Sequence, residues 1–119
     1  MIWKSNESIK YYEKFLLILE EYFNVTNWKK LFLQGGCYWF ANTLHQGISN
    51  SKLMINRTEE HCGLFFENGL YDVSGKISRF QFRDVTEKDI SFMKKNYIPH
   101  FDTQALEAYL VKIGLPVCC

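Results

Sequence analysis

The feature that most constrains this chain is a change of hydrophobic period in its middle. Cys62 to Phe66 and Leu70 to Val73 are two short apolar runs separated by Glu67-Asn68-Gly69. Such runs around a turn-forming segment predict a β-hairpin. Lys52 to Arg57 predicts a preceding strand, Gly75 a following turn, and Phe80, Phe82 and Val85 another strand or extended segment. Before this region the period is helical. Ile9, Tyr12, Leu16, Leu19 and Phe23 share one face, and Trp28 to Leu33 predicts a short second helix. Cys37, Phe40, Ala41, Leu44 and Ile48 share the face of a third helix, ended by Gly47 and Ser49-Asn50-Ser51.

Two more helices are predicted after the strands. Thr86 and Asp89 form a variant capping box ahead of Ile90 and Met93. Asp102 caps a last helix with Leu106, Tyr109, Leu110 and Ile113 inward, and Gly114 and Pro116 stop it. Helices, then strands, then helices give an α+β class: a small antiparallel sheet packed against helices. At 119 residues the chain fits one domain, spanning 1–119.

Charge narrows the function. The formal net charge is +1, with acidic and basic residues interspersed, so no direct nucleic-acid binding is expected. No apolar run has the length of a membrane span, and residues 1–7 lack the pattern of a secretory signal. A cytoplasmic protein is expected, with its four cysteines, Cys37, Cys62, Cys118 and Cys119, as free thiols. Cys118 and Cys119 are given no role.

Cys37 follows Gly35-Gly36 and opens a helix, where first-turn amides favour a thiolate and can meet an oxyanion. Gly36 lets a substrate backbone approach, and Gln34 offers a side-chain amide to the same oxygen. The competing reading of Cys37 is a core thiol on an apolar helix face. A catalytic thiol needs a base, and the base needs an orienting partner. His45 lies two turns along the same helix and cannot reach Cys37, and His100 follows Pro99 in a loop. His61, at the start of a strand, is the base that remains.

Asp72 can orient His61 only in one hairpin register. With Asn68-Gly69 as a two-residue turn, Asp72 is about 13 Å along the strand from His61. With a three-residue loop it points to the other face. With a four-residue loop, Phe66 to Gly69, Phe65 pairs with Leu70 and His61 faces Ser74. Asp72 then becomes a diagonal neighbour at about 7–8 Å between backbones. That register requires Gly69 in a left-handed conformation. The competing reading makes His61 and Asp72 structural, with Asp72 serving nearby amides. A metal site from Cys37, His61, Cys62 and Asp72 is disfavoured, because neighbours in a strand face opposite ways, and no cofactor is expected.

Together, Gly35-Gly36-Cys37-Tyr38-Trp39-Phe40-Ala41 and the segment from His61 to Asp72 resemble the papain-like thiol hydrolase superfamily, in its NlpC/P60-like or transglutaminase-like branch. The resemblance covers the middle third of the chain. It implies a papain-like fold with the nucleophile Cys at a helix N-terminus and a Cys37, His61, Asp72 triad acting on a peptide, isopeptide or glutamine amide. The Asp-Cys-Ser-Gly nucleophile motif common in NlpC/P60 proteins is absent. The alternative is a phage or mobile-element protein that binds a host complex, such as an anti-CRISPR inhibitor, on the same scaffold without turnover. Trp3, Trp28 and Trp39 would then supply interface anchors. Either reading expects a protein or peptide as substrate or partner.

Overall fold

A computed structural model describes residues 5–117; Trp3, Cys118 and Cys119 lie outside the described residues. The first helix, α1 (Ser5–Phe23), precedes a short 3-10 helix (Trp28–Phe32) and α2 (Cys37–Gly47). Five strands follow: β1 (Lys52–Asn56), β2 (His61–Phe66), β3 (Gly69–Asp72), β4 (Gly75–Ile77) and β5 (Arg83–Asp84). Helices α3 (Glu87–Asn96) and α4 (Thr103–Lys112) close the order. The fold is α+β, with one antiparallel sheet in the order β4-β3-β2-β1-β5. No helix among the described residues is long and apolar enough to cross a membrane.

The hairpin takes the register in which Phe65 pairs with Leu70. Its closure differs from the expectation. Phe66 pairs with Gly69, and the turn is Glu67-Asn68, with φ of 51° and 59°. Two left-handed residues in a two-residue loop match the twist of the flanking strands. Gly69 is therefore not the left-handed residue. A Cβ there would stand 2.9 Å from the Lys76 stem and 3.0 Å from the Tyr71 ring, so glycine serves close packing. The segment after Gly75 also differs. Gly75 opens β4 after a Val73-Ser74 turn, and only Arg83–Asp84 pairs with β1, while Phe80 and Gln81 form a turn.

The helices bury the faces that periodicity assigns. Tyr12 and Leu19 of α1, and Cys37, Phe40, Ala41, Leu44 and Ile48 around α2, are all in the core. Ile113 is an exception: it is exposed, because α4 ends at Lys112 and Leu115 takes the inward place after the Gly114 turn. The hub is Phe32, fully buried and in ring contact with Phe23, Trp28, Trp39, Phe40 and Phe101 at 5.1–6.0 Å between centroids. It joins its own 3-10 helix to α1, to α2 and to the distant segment before α4. The indole of Trp39 donates to Glu107 at 2.9 Å and ties α2 to α4.

The capping box on α3 is present. Thr86 Oγ1 accepts from the Asp89 amide, and Asp89 accepts from the Thr86 amide at 2.8 Å. Asp89 is buried and also takes two bonds from Arg83, at 2.6 and 2.9 Å. The guanidinium beside it, with the Thr86 donors, outweighs burial and holds its carboxyl well below the usual range. The cap thus anchors α3 to β5 as well as starting a helix. On α4, Asp102 accepts from the Ala105 amide at 3.0 Å.

Phe32→Ala should remove the contacts that join these segments. The expected loss is about 3–5 kcal/mol of unfolding free energy, read by urea denaturation.

Candidate functional site

Three sequence-distant residues meet at the end of the hairpin. His61 is the first residue of β2, Asp72 the last of β3, and Cys37 the first of α2. His61 Nε2 and Asp72 Oδ2 are 2.8 Å apart. The Cys37 thiol is, after Asp72, among the groups that raise the imidazole pKa. The Cys37 side chain is buried, with the residue 3% exposed.

Asp72 is fixed at every acceptor. Its Oδ1 accepts from the Ser74 amide at 2.8 Å and from the Ser74 hydroxyl at 2.5 Å. Its main-chain oxygen accepts from Tyr12 of α1 at 2.5 Å. Burial alone would raise the Asp72 carboxyl, but the bonds from His61 and Ser74 lower it. Burial alone would lower the His61 imidazole. Asp72 and Cys37 outweigh it and push His61 from 6.5 up to about 9. The pair is therefore biased toward imidazolium and carboxylate at neutral pH.

The glycines before Cys37 serve a purpose other than the one expected. A Cβ on Gly35, at φ +100°, would lie 2.3 Å from the Ile98 oxygen. A Cβ on Gly36 would lie 2.3 Å from the Leu31 oxygen. The close approach seen here is by the protein's own backbone. The Gly36 amide donates to Leu31 at 3.1 Å and so is not free for an oxyanion. The Gln34 main-chain amide donates to the Lys30 carbonyl at 3.0 Å, and the residue that carries the side-chain amide is exposed. The Cys37 amide, in the first turn of α2, belongs to the set that an α-helix leaves without an intrahelical acceptor.

The other histidines lie elsewhere. His45 Nδ1 is 2.6 Å from the Ser51 hydroxyl, and burial lowers its pKa. His100 is exposed. Cys62 is buried in the core, and burial first, with Cys37 and Asp89 adding, raises its thiol pKa far above the ordinary value. Among the described residues, no group of three or more His, Cys, Asp or Glu could hold a metal ion.

Sequence reasoning missed Tyr12, Ser74 and Tyr97. The Asp-x-Ser spacing of Asp72 and Ser74 is a legible Asx-turn signal. Tyr12 and Tyr97 left none, because each arrives from a distant helix. Tyr97 is 7% exposed, and its buried hydroxyl closes no hydrogen bond. Burial first, then Glu60 and Cys37, raise its pKa. A cleft of about 330 Å³ opens beside His61 and Asp72, lined also by Leu33, Glu59, Ile77, Ser78 and Phe82.

Fold and site together define a small α+β protein in which a buried thiol, an imidazole and a carboxylate converge at one end of an antiparallel hairpin. A family model described as phage YunG-like protein matches residues 15–111, most of the chain, and the chain belongs to that family. Comparison with curated proteins and with solved structures gives no match.

The sign of the pH dependence follows from the two shifts. The folded pKa of His61 lies above its ordinary value of 6.5. Its stabilisation is complete below about 6.5 and is lost as pH rises through about 9. That of Asp72 is depressed, so its part is present above 3.8 and lost as pH falls through the folded value. The His61 ring protons should titrate near pH 9 by NMR and move clearly lower in Asp72→Asn.

Proposed function

We propose that this protein is a thiol hydrolase or acyl-transfer enzyme of papain-like character acting on an amide. The observation that carries this reading is the 2.8 Å contact between His61 and Asp72, on an imidazole whose pKa Cys37 helps to raise. Nucleophile, base and orienting group are the three parts that thiol catalysis requires.

In this mechanism the Cys37 proton already rests on His61 as imidazolium, and the thiolate sulfur bonds to the substrate carbonyl carbon. The tetrahedral oxyanion meets the Cys37 amide at the helix start. The C–N bond then breaks, and His61 returns its proton to the departing amine. Water, deprotonated by His61, attacks the thioester and releases the acid; an acceptor amine in its place completes acyl transfer. Asp72 keeps the imidazole in the tautomer that presents Nδ1 to sulfur and stabilises the imidazolium between steps. Tyr12 and Ser74 act through Asp72 and are positioning residues.

A second reading is favoured by the family and by the 3% exposure of Cys37. On this reading a phage protein uses the same scaffold to bind a host complex, such as a defence complex, without turnover. A closed site suits a structural triad as well as one that a substrate must open.

Iodoacetamide labelling of the native protein at neutral pH tests the first reading. Cys37 should alkylate faster than an exposed model thiol, and His61→Ala should slow it by about 100-fold. Labelling no faster than the model thiol rejects an activated nucleophile. The second reading is tested by pull-down from host cells: Cys37→Ala should retain the full set of captured proteins. Loss of capture in that variant counts against it.

A further inference from the structure

The cleft beside His61 has a surface that nucleophile, base and orienting carboxylate do not use. Two separate parts of the chain line it. Leu33 comes from the turn leading to Cys37, and Ile77, Ser78 and Phe82 come from β4 and the loop after it. The Phe82 ring meets the His61 ring edge-on at 6.2 Å between centroids. The reacting imidazole is thus one side of an apolar cleft.

Folding has left apolar surface exposed here. Leu33, a lining residue, is 42% exposed, and Phe80, in the same loop as Ser78 and Phe82 but not itself a lining residue, is 75% exposed. Exposed apolar side chains grouped around a cleft mark a binding surface more often than scattered ones do. The polar groups of the lining are already engaged. His61 and Asp72 satisfy each other, and the Ser78 hydroxyl accepts from the Phe80 amide at 3.1 Å. The remaining charge is Glu59, an exposed carboxylate. The nearby Arg79 lies over the Phe65 ring, 4.5 Å from its centroid, and is not a lining residue. The His61 imidazolium of the lining is already paired with Asp72, and an acidic side chain in the cleft is set against Glu59 and Asp72.

We propose that this cleft is the specificity subsite of the thiol reaction and takes an uncharged apolar side chain, of leucine or methionine size, next to the amide that Cys37 attacks. The proposal rests on the thiol reading above and deepens it. The substrate class is then a peptide with an apolar residue flanking the reacting bond, and peptides with a carboxylate at that position are rejected. Leu33 and Phe82 are the residues that discriminate, through the apolar area they lose from water when the cleft fills.

Two electrophiles separate this proposal from the reading beneath it. Iodoacetamide carries no side chain and reads the nucleophile alone. Acetylated dipeptide vinyl sulfones with Leu, Glu or Lys next to the warhead read the subsite, and mass spectrometry locates the adduct. The Leu probe should modify Cys37 about tenfold faster than the Glu or Lys probe. Leu33→Asp, at an exposed position that folding does not need, should erase that preference, and Phe82→Ala should weaken it. If iodoacetamide labels Cys37 in a His61-dependent way but the three probes react alike, the subsite is overturned and the thiol reading stands. A faster Lys probe overturns it as well, with Glu59 as the determinant. If neither reagent labels native Cys37, both ideas fall together.

Discussion

The buried carboxylate of Asp72 is the constraint on which the rest of this structure depends. A carboxylate taken out of water costs several kcal/mol unless its oxygens find donors. Here they come from two directions, the His61 ring at Oδ2 and the Ser74 amide and hydroxyl at Oδ1, while the Tyr12 hydroxyl holds the main-chain oxygen of the same residue. Each fixes a piece of the fold. Ser74 shapes the turn into β4, His61 sets the end of β2, and Tyr12 holds α1 against the hairpin.

The hairpin register is the geometric condition for that set of bonds. A slip of one residue would send Asp72 to the opposite face and leave a buried charge unpaired. The Glu67-Asn68 turn prevents the slip by closing the loop with two left-handed residues. Glutamate is a poor residue for that conformation, and its use shows how strongly the strands dictate the closure. Packing of Gly69 beneath Tyr71 and Lys76 adds a second constraint at the same place.

On the other side of the site, the aromatic hub at Phe32 and the contacts of Gly35 and Gly36 fix the start of α2. The chain enters this helix through a turn pressed against Ile98 and Leu31, which accounts for two successive glycines. Cys37 therefore arrives at His61 by core packing, while His61 is held by strand pairing and Asp72. Two independent parts of the structure meet at the imidazole. Asp72 and Cys37, neither its neighbour in sequence, together raise the His61 pKa against the effect of burial.

Much of this was legible in the chain itself. Helical spacing located α1 and α2, Thr86 and Asp102 marked the caps of α3 and α4, and apolar runs around Glu67-Asn68-Gly69 marked the hairpin. The register was legible as a condition: Asp72 could bond to His61 only if Phe65 paired with Leu70, and it does. Local features of this kind are written in residue type and spacing, because period and capping act within a few residues. The conformation at Gly69, the short β4, the spent amide of Gly36, and the arrival of Tyr12 and Tyr97 were decided by tertiary structure alone. Each depends on which distant atoms come within contact distance, and packing at that range is set by the whole core rather than by neighbours in the chain.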